Sequence, residues 1–292
     1  MAKTENLLMK YLAFAKTAET GSFTAAAAEL NYAQSSVSKM IADLEQHFGA
    51  ALLERGKGGV TVTSFGMEIL PRVRRILGDC DELEQYADSL RGLESGFVRI
   101  GTFASAAINL LPDIFGKFQK DYPKIECEML LGDYTDVRNW IDEGRVDCGF
   151  LPLPIKDFDF FPVERDEYVV VMPTGHPLAE QSAVDIKQLE NEPFLLLEHG
   201  GKTEVSEILE KWGVKPKIRF TTWEDFAVMA MAEKGLGMGF LPSMILKRIP
   251  YNLEIRPLKE RYFRDIGIAV KNVERLSPAA KRFLNYLRPK NS

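Results

Sequence analysis

Histidine, cysteine and tryptophan each occur only three times in 292 residues. Those shortages exclude several chemistries at the outset. Cys80, Cys127 and Cys148 cannot close a paired disulfide framework and no two stand at metal-ligand spacing, so neither structural disulfides nor zinc is expected. No apolar run is long enough to span a bilayer and the first residues lack a signal-peptide core, which predicts a cytoplasmic protein with no membrane segment. Nucleophile-elbow, glycine-rich phosphate-loop and zinc patterns are missing too, and no cofactor or metal is expected. Nor is there an excess of positive charge: the formal net charge is −5, and residues 1–66 balance six basic side chains against six acidic ones. Any contact with nucleic acid must therefore come from where individual cations sit. What remains, 46% hydrophobic and 27% charged, is ordinary globular material for two or three domains.

The segment from Ser22 to Gly66 organises the rest. At helical spacing Val37, Ile41, Leu44 and Phe48 form an apolar stripe, while Gln34, Ser35, Ser38, Lys39 and Ala42 form the opposite face. That face is small, polar and short of acids, suited to a DNA major groove where hydroxyl, amide and ammonium groups reach base edges and phosphates. Upstream, Ser22 caps a short Ala-rich helix that carries Thr24 and ends at Leu30, and Asn31-Tyr32 makes a tight turn into the next helix. Downstream, Leu52 to Thr63 reads as strand, glycine-rich tip, strand, placing Arg55 and Lys57 on a hairpin beside the second helix. The candidate DNA-binding residues are Ser22, Thr24, Gln34, Ser35, Ser36, Ser38, Lys39, Arg55 and Lys57.

The ordered series Phe14, Gly21-Ser22-Phe23-Thr24, Ala26-Ala27, Leu30, Gln34, Ser38-Lys39, Ile41, Leu44-Glu45, Gly49, Leu52, Glu54-Arg55, Val60, Thr63, Gly66 resembles the DNA-binding domain of the LysR-type transcriptional regulators. Three departures stand out. Ala33 replaces a Ser that usually caps the recognition helix, so that helix is expected to start less firmly, with Ser35 or Ser36 as alternative starts. Ala42 replaces a common basic residue, which predicts a shallower salt dependence of DNA binding, and Leu53 replaces a Phe.

From Ser64 to Arg91 the apolar positions Ile69, Val73, Ile76, Cys80, Leu83, Ala87 and Leu90 alternate in steps of four and three. This heptad seam predicts a dimerising helix roughly 40 Å long, more than the small head domain can cover. Pro71 should kink it near its start. In the family this helix packs antiparallel to its mate, which would bring Cys80 near its own symmetry copy and make an intersubunit disulfide accessible on oxidation. A small core residue is the alternative reading of Cys80. The resemblance implies a homodimer, and a homotetramer beyond it.

After a hinge at residues 91–96, strands alternate with helices: Val98–Phe103, helix Ala107–Lys120, Ile125–Leu131, helix Thr135–Glu143, Val146–Leu151, then a second series from Tyr168 to Leu241. The alternation implies parallel sheets covered by helices. Ile266 to Lys271 and the helix Pro278–Leu287 read as a return to the first lobe. The expected plan is a winged helix-turn-helix at residues 1–66, a linker helix at 67–92 and an effector domain at 93–292 resembling the periplasmic-binding-protein clamp. Its lobe I would span about 96–164 and 269–292, and lobe II about 165–268.

In such a clamp small ligands sit in the crevice at strand ends, facing helix N-termini. The residues falling there are Thr102 and Ser105, then Glu198, His199, Lys202 and Thr203, then Thr222, Trp223 and Glu224. Ser105, Thr203 and Thr222 match family positions that touch the effector, and helix capping explains each of them equally well. Trp223 is either an aromatic wall or a core residue at the lobe edge. Two Glu and one Lys in this group argue against a dianionic effector and for a zwitterion or an aromatic acid. The loop around His176 reads as structural.

The leading reading is a ligand-responsive DNA-binding regulator. A redox regulator using Cys127 or Cys148 and a two-lobed enzyme using a carboxylate pair such as Glu198 and Glu224 are the competitors.

Overall fold

In a computed structural model the described residues are 2–56, 59–90, 95–198 and 203–287. Helices α1 (Ala2–Thr20), α2 (Phe23–Glu29) and α3 (Gln34–Phe48) and the hairpin β1 (Leu53–Gly56) and β2 (Gly59–Val62) form the head. Its core joins Phe14, Val37, Ile41, Leu44 and Leu52, so the apolar stripe of α3 is the face that packs inward. Ser22 Oγ accepts from the Ala25 amide at 3.3 Å and caps α2. Asn31 takes a left-handed φ of 56°, which closes the turn between the two helices. Helix α3 begins at Gln34 rather than at either serine, and Ala33 occupies the cap position with no side-chain hydrogen bond. The other end is pinned: Glu45 Oε1 accepts from the Leu52 and Leu53 amides at 2.8 and 3.1 Å, joining α3 to the hairpin. On its far side the hairpin is held by the Val60 amide, which donates to Gly21 O at 2.9 Å.

Helix α4 (Ser64–Leu90) runs unbroken through Pro71. Thr63 Oγ1 accepts from the Gly66 amide at 2.9 Å and starts it. The seam divides into two parts. Ile69 and Val73 pack into the core of the head itself, so those two positions are not free to face a partner. Farther along, Ile76 and Leu83 are exposed, Cys80 and Ala87 are half-buried, and the Leu90 side chain lies outside the described residues. Arg74 forms an ion pair with Glu143 at the end of α7 (Tyr134–Asp142), tying the linker helix to the following domain.

That domain is built on a six-stranded mixed sheet of order β4-β3-β5-β10-β6-β9 and a separate parallel pair β7-β8. Strand β3 (Gly96–Thr102) pairs in parallel with β4 (Ile125–Leu131) and β5 (Cys148–Pro152). The expectation of parallel sheets fails at β6 (Asp159–Pro173) and β10 (Leu253–Val270), which pair antiparallel with each other and run through both lobes. In sequence their middle sections are charge-rich and look like loops. In the fold those charges pair between the two strands: Arg165 with Asp265, Arg261 with Glu167, and Arg264 with Asp166. The crossing also falls earlier on β10 than expected, since Ile266 and Ile268 pack in the lobe I core with Ile100, Phe118, Phe150 and Phe283. Register shifts between Pro257 and Tyr262, still within lobe II, and β10 passes to lobe I between Tyr262 and Ile266.

The helix expected over Ala107–Lys120 is two, α5 (Ala104–Asn109) and α6 (Leu111–Asp121). Pro112 explains the break, because proline suits the first turn of a new helix and not the interior of an old one. Lobe II contains β7 (Pro193–Leu197), α8 (Glu204–Trp212), β8 (Lys217–Thr222), α9 (Asp225–Glu233) and β9 (Gly239–Pro242); α8 packs with Val170, Phe194 and Phe240 in one core, and α9 packs through Val228 and Met229 with Val169, Leu195 and Leu241 in another. The last helix, α10 (Pro278–Leu287), returns to lobe I as expected. His176 is structural, its Nδ1 accepting from the Leu178 amide at 3.2 Å.

Candidate functional site

On the head, Gln34, Ser35, Lys39 and Thr24 are exposed, and Ser36 and Ser38 are half-buried. Arg55 reaches from β1 to this face. Its Nη2 donates to Ser38 Oγ at 2.7 Å and its guanidinium carbon sits 4.4 Å from the centre of the Phe23 ring. The arginine is therefore oriented on the surface beside α3 by one hydrogen bond and one aromatic face, with donors left for a phosphate. Ser22 is occupied as a cap, and Lys57 lies outside the described residues. Asp43, on the same helix, is paired with Lys10 at 3.0 Å.

Between the lobes lies a cleft of about 750 Å³. Ser105, Glu198, Thr203, Trp223 and Glu224 line it, as the sequence predicts. Two expected residues do not. Thr102 is fully buried behind the wall, and Thr222 is turned away, its Oγ1 accepting from the Glu224 amide at 3.2 Å. His199 and Lys202 lie outside the described residues. Several of the lining polar groups are engaged: Thr203 Oγ1 donates to Leu197 O at 2.8 Å, and Glu198 Oε1 accepts from Ser206 Oγ at 2.9 Å.

The centre of the cleft is a residue the sequence reading missed. Arg264 is 6% exposed, and its guanidinium donates to Asp166 Oδ2 at 2.7 and 3.1 Å, to Tyr134 Oη at 2.6 Å and to Ser105 Oγ at 2.7 Å. The other carboxylate oxygen of Asp166 accepts from Ser243 Oγ and the Met244 amide, both at 2.9 Å. Burial opposes the charge on Arg264, but Tyr134, Tyr168 and Asp166 together hold its pKa above the usual arginine range. Burial likewise pushes the Tyr134 hydroxyl up, so it stays neutral and can accept from the guanidinium.

Lobe II adds Glu204 and Asp225 at the starts of α8 and α9, also unforeseen. Asp225 is pushed up to about 6, first by burial and then by Glu224, Glu204 and Asp166, against the pull of Arg264. Glu204 Oε1 is buried and accepts no hydrogen bond. The cleft is thus more acidic than its sequence-predicted members suggested. An alternation signal was available for the central pair: counting back by two from Ile268 and Ile266 reaches Arg264, and from Val170 and Tyr168 reaches Asp166.

Residues 8–67 match the family model for the bacterial regulatory helix-turn-helix protein of the lysR family, and residues 91–292 match that for the LysR substrate binding domain. The chain belongs to the LysR-type transcriptional regulators. It is 31% identical over 274 residues to the "Uncharacterized HTH-type transcriptional regulator YvbU" of Bacillus subtilis, covering 93% of this chain and 94% of that one. It is 33% identical over 279 residues to the "Probable HTH-type transcriptional regulator LrrA" of Synechococcus elongatus, with 94% of each chain covered. Among solved structures, a full-length OxyR variant from Pseudomonas aeruginosa superposes with a TM-score of 0.76 over 96% of this chain and 92% of that chain at 21% identity, a likeness of fold. In this LysR-type regulator the head is the helix-turn-helix domain, and the cleft lies inside the substrate-binding domain.

Proposed function

We propose that this regulator binds operator DNA through α3 and Arg55, and that a small-molecule effector held between the two lobes alters that binding or the bend of the DNA. The observation that carries the DNA half is the Arg55 geometry, a cation fixed at the edge of an acid-poor recognition face. The effector half is supported by the cleft that the two crossing strands span, since a ligand touching both lobes shifts their arrangement by its unequal affinity for open and closed states. The chain acts in the cytoplasm, where its DNA is, and by binding rather than catalysis. Arg55→Ala and Lys39→Ala should each weaken operator binding about tenfold, with Arg55→Ala lowering the salt slope by about 1. Fluorescence anisotropy across a salt series checks both. Unchanged affinity in the two variants would exclude the head as drawn.

A homodimer forms through α4, and in keeping with the family a homotetramer beyond it. Ile76 and Leu83, 40% and 66% exposed, supply the apolar seam with Cys80 between them. Mild oxidation should give a disulfide-linked dimer on a non-reducing gel, absent in Cys80→Ser. A monomer band in both proteins would exclude the placement of Cys80 beside its symmetry mate.

Redox sensing through the other two thiols is disfavoured. Cys127 and Cys148 pair with Val98 and Ile100 on opposite edges of β3, about 10 Å apart sideways and beyond disulfide reach. Burial also raises both thiols, the reverse of what a reactive thiolate needs.

A further inference from the structure

Arg55 is held from three separate elements of the head. In the hairpin register it stands opposite Val60, whose amide donates to Gly21 O at 2.9 Å, so the strand that carries it is docked on the entry to α2. Phe23, the first residue of α2 and a member of the head core, offers its ring face to the guanidinium at 4.4 Å. Ser38, one turn beyond Gln34 on α3, accepts from Nη2 at 2.7 Å. No carboxylate shares in this. Among the described residues of the head Lys10 is paired with Asp43, and Lys16 with Glu19 and Glu29, whereas Arg55 and Lys39 have no acidic partner. The charge on Arg55 is thus fixed in direction without being neutralised. An unconstrained arginine gives up side-chain freedom when it meets a phosphate, and a rotamer set beforehand removes that cost.

We propose that Ser38 acts on DNA through Arg55: it is a positioning residue that aims the guanidinium at a backbone phosphate, and it reads no base. Its oxygen is already taken up within the protein and the residue is half-buried, while the arginine keeps four of its five N–H donors for the ligand. Phosphate contacts set the register of a protein on the duplex, and base contacts carry the sequence information. Ser38 belongs to the first group by way of its partner. Discrimination between sequences is left to Gln34, Ser35 and Lys39, which are exposed on the same helix with no side-chain partner among the described residues. Recognition helix and hairpin therefore meet the DNA as one unit, joined at the Ser38–Arg55 contact.

This assignment rests on the reading of α3 and Arg55 as the DNA-binding face, and the test separates the two. Full-length protein and its Ser38→Ala, Ser38→Thr, Arg55→Ala and doubly substituted Ser38→Ala/Arg55→Ala variants are titrated by fluorescence anisotropy across a salt series. Two labelled duplexes serve as probes, one selected by the unsubstituted protein from a random-sequence pool and one of the same composition with its sequence scrambled. Ser38→Ala should weaken both duplexes by the same factor, about threefold. The double variant should bind no worse than Arg55→Ala alone and with the same salt slope, since the serine has nothing to act through once the arginine is gone. Ser38→Thr keeps a hydroxyl there and should restore binding. All variants should keep a thermal midpoint close to that of the unsubstituted protein, because the contact is exposed. Unequal losses on the two duplexes, or a double variant whose loss is the product of the single ones, would make Ser38 a direct DNA contact and overturn the positioning role while keeping the face. A Ser38→Ala protein that binds normally while Arg55→Ala is weakened would overturn it as well, the arginine then needing no guide. Unchanged affinity and slope in Arg55→Ala, or a pool that yields no bound sequence, would overturn both readings.

Discussion

Arg264→Ala should lower the stability of the substrate-binding domain by about 3–5 kcal/mol, because it strands the buried carboxylate of Asp166. For a domain of this size that corresponds to a fall in the thermal midpoint of roughly 6–20 °C, measurable by calorimetry. Arg264→Lys should recover little of it. One ammonium cannot donate to Asp166, Tyr134 and Ser105 in the fork the guanidinium provides. Asp166→Asn combined with Arg264→Met removes both charges at once and should recover a large share of the loss, since the penalty belongs to the unpaired ion more than to the missing contact. If Arg264→Ala costs less than about 1 kcal/mol, the pair does not hold the crossing strands together.

The second large effect is expected in the head. A side chain at Gly66 would place its Cβ 2.3 Å from Leu52 O and 2.8 Å from Val62 Cγ1. The carbonyl belongs to the segment that Glu45 pins, so it has nowhere to go. Gly66→Val should destabilise the head by about 3 kcal/mol and abolish operator binding, with the unfolding transition of the substrate-binding domain unchanged. Gly78→Ala is the control on the same helix. Nothing lies within 4 Å of its Cβ position, and removing a mid-helix glycine should stabilise by about 0.5–1 kcal/mol. Two-transition calorimetry with anisotropy on the same samples separates these outcomes.

How much of this was legible in the sequence depended on whether a residue's role was set locally. The stripe of Val37, Ile41 and Leu44, the Ser22 cap and the turn at Asn31 are decided within a few residues, and the structure has them as expected. The break at Pro112 was equally local and was overlooked. The crossing strands were not local. Glu164 to Glu167 and Lys259 to Arg264 read as solvated loop until Arg165, Asp166 and Glu167 are seen to have counter-charges almost a hundred residues away, on Asp265, Arg264 and Arg261. Arg264 was hidden for that reason, since the partner that makes it a core residue is remote. Expected cleft residues failed where a neighbour made a better claim on them: Thr222 serves the Glu224 amide, and Thr102 faces the core of its own lobe.

The joint between α4 and lobe I has a mechanical corollary. Val73 is clamped in the core of the head and Arg74, the very next residue, is clamped to Glu143. Head and lobe I thus grip one turn of a single helix from two sides, and the covalent connection at 91–94 is not their only linkage. If lobe I swivels on ligand binding, the Arg74–Glu143 contact gives that motion a second route to the head besides the covalent chain. The two heads of a dimer would then change their spacing by gearing.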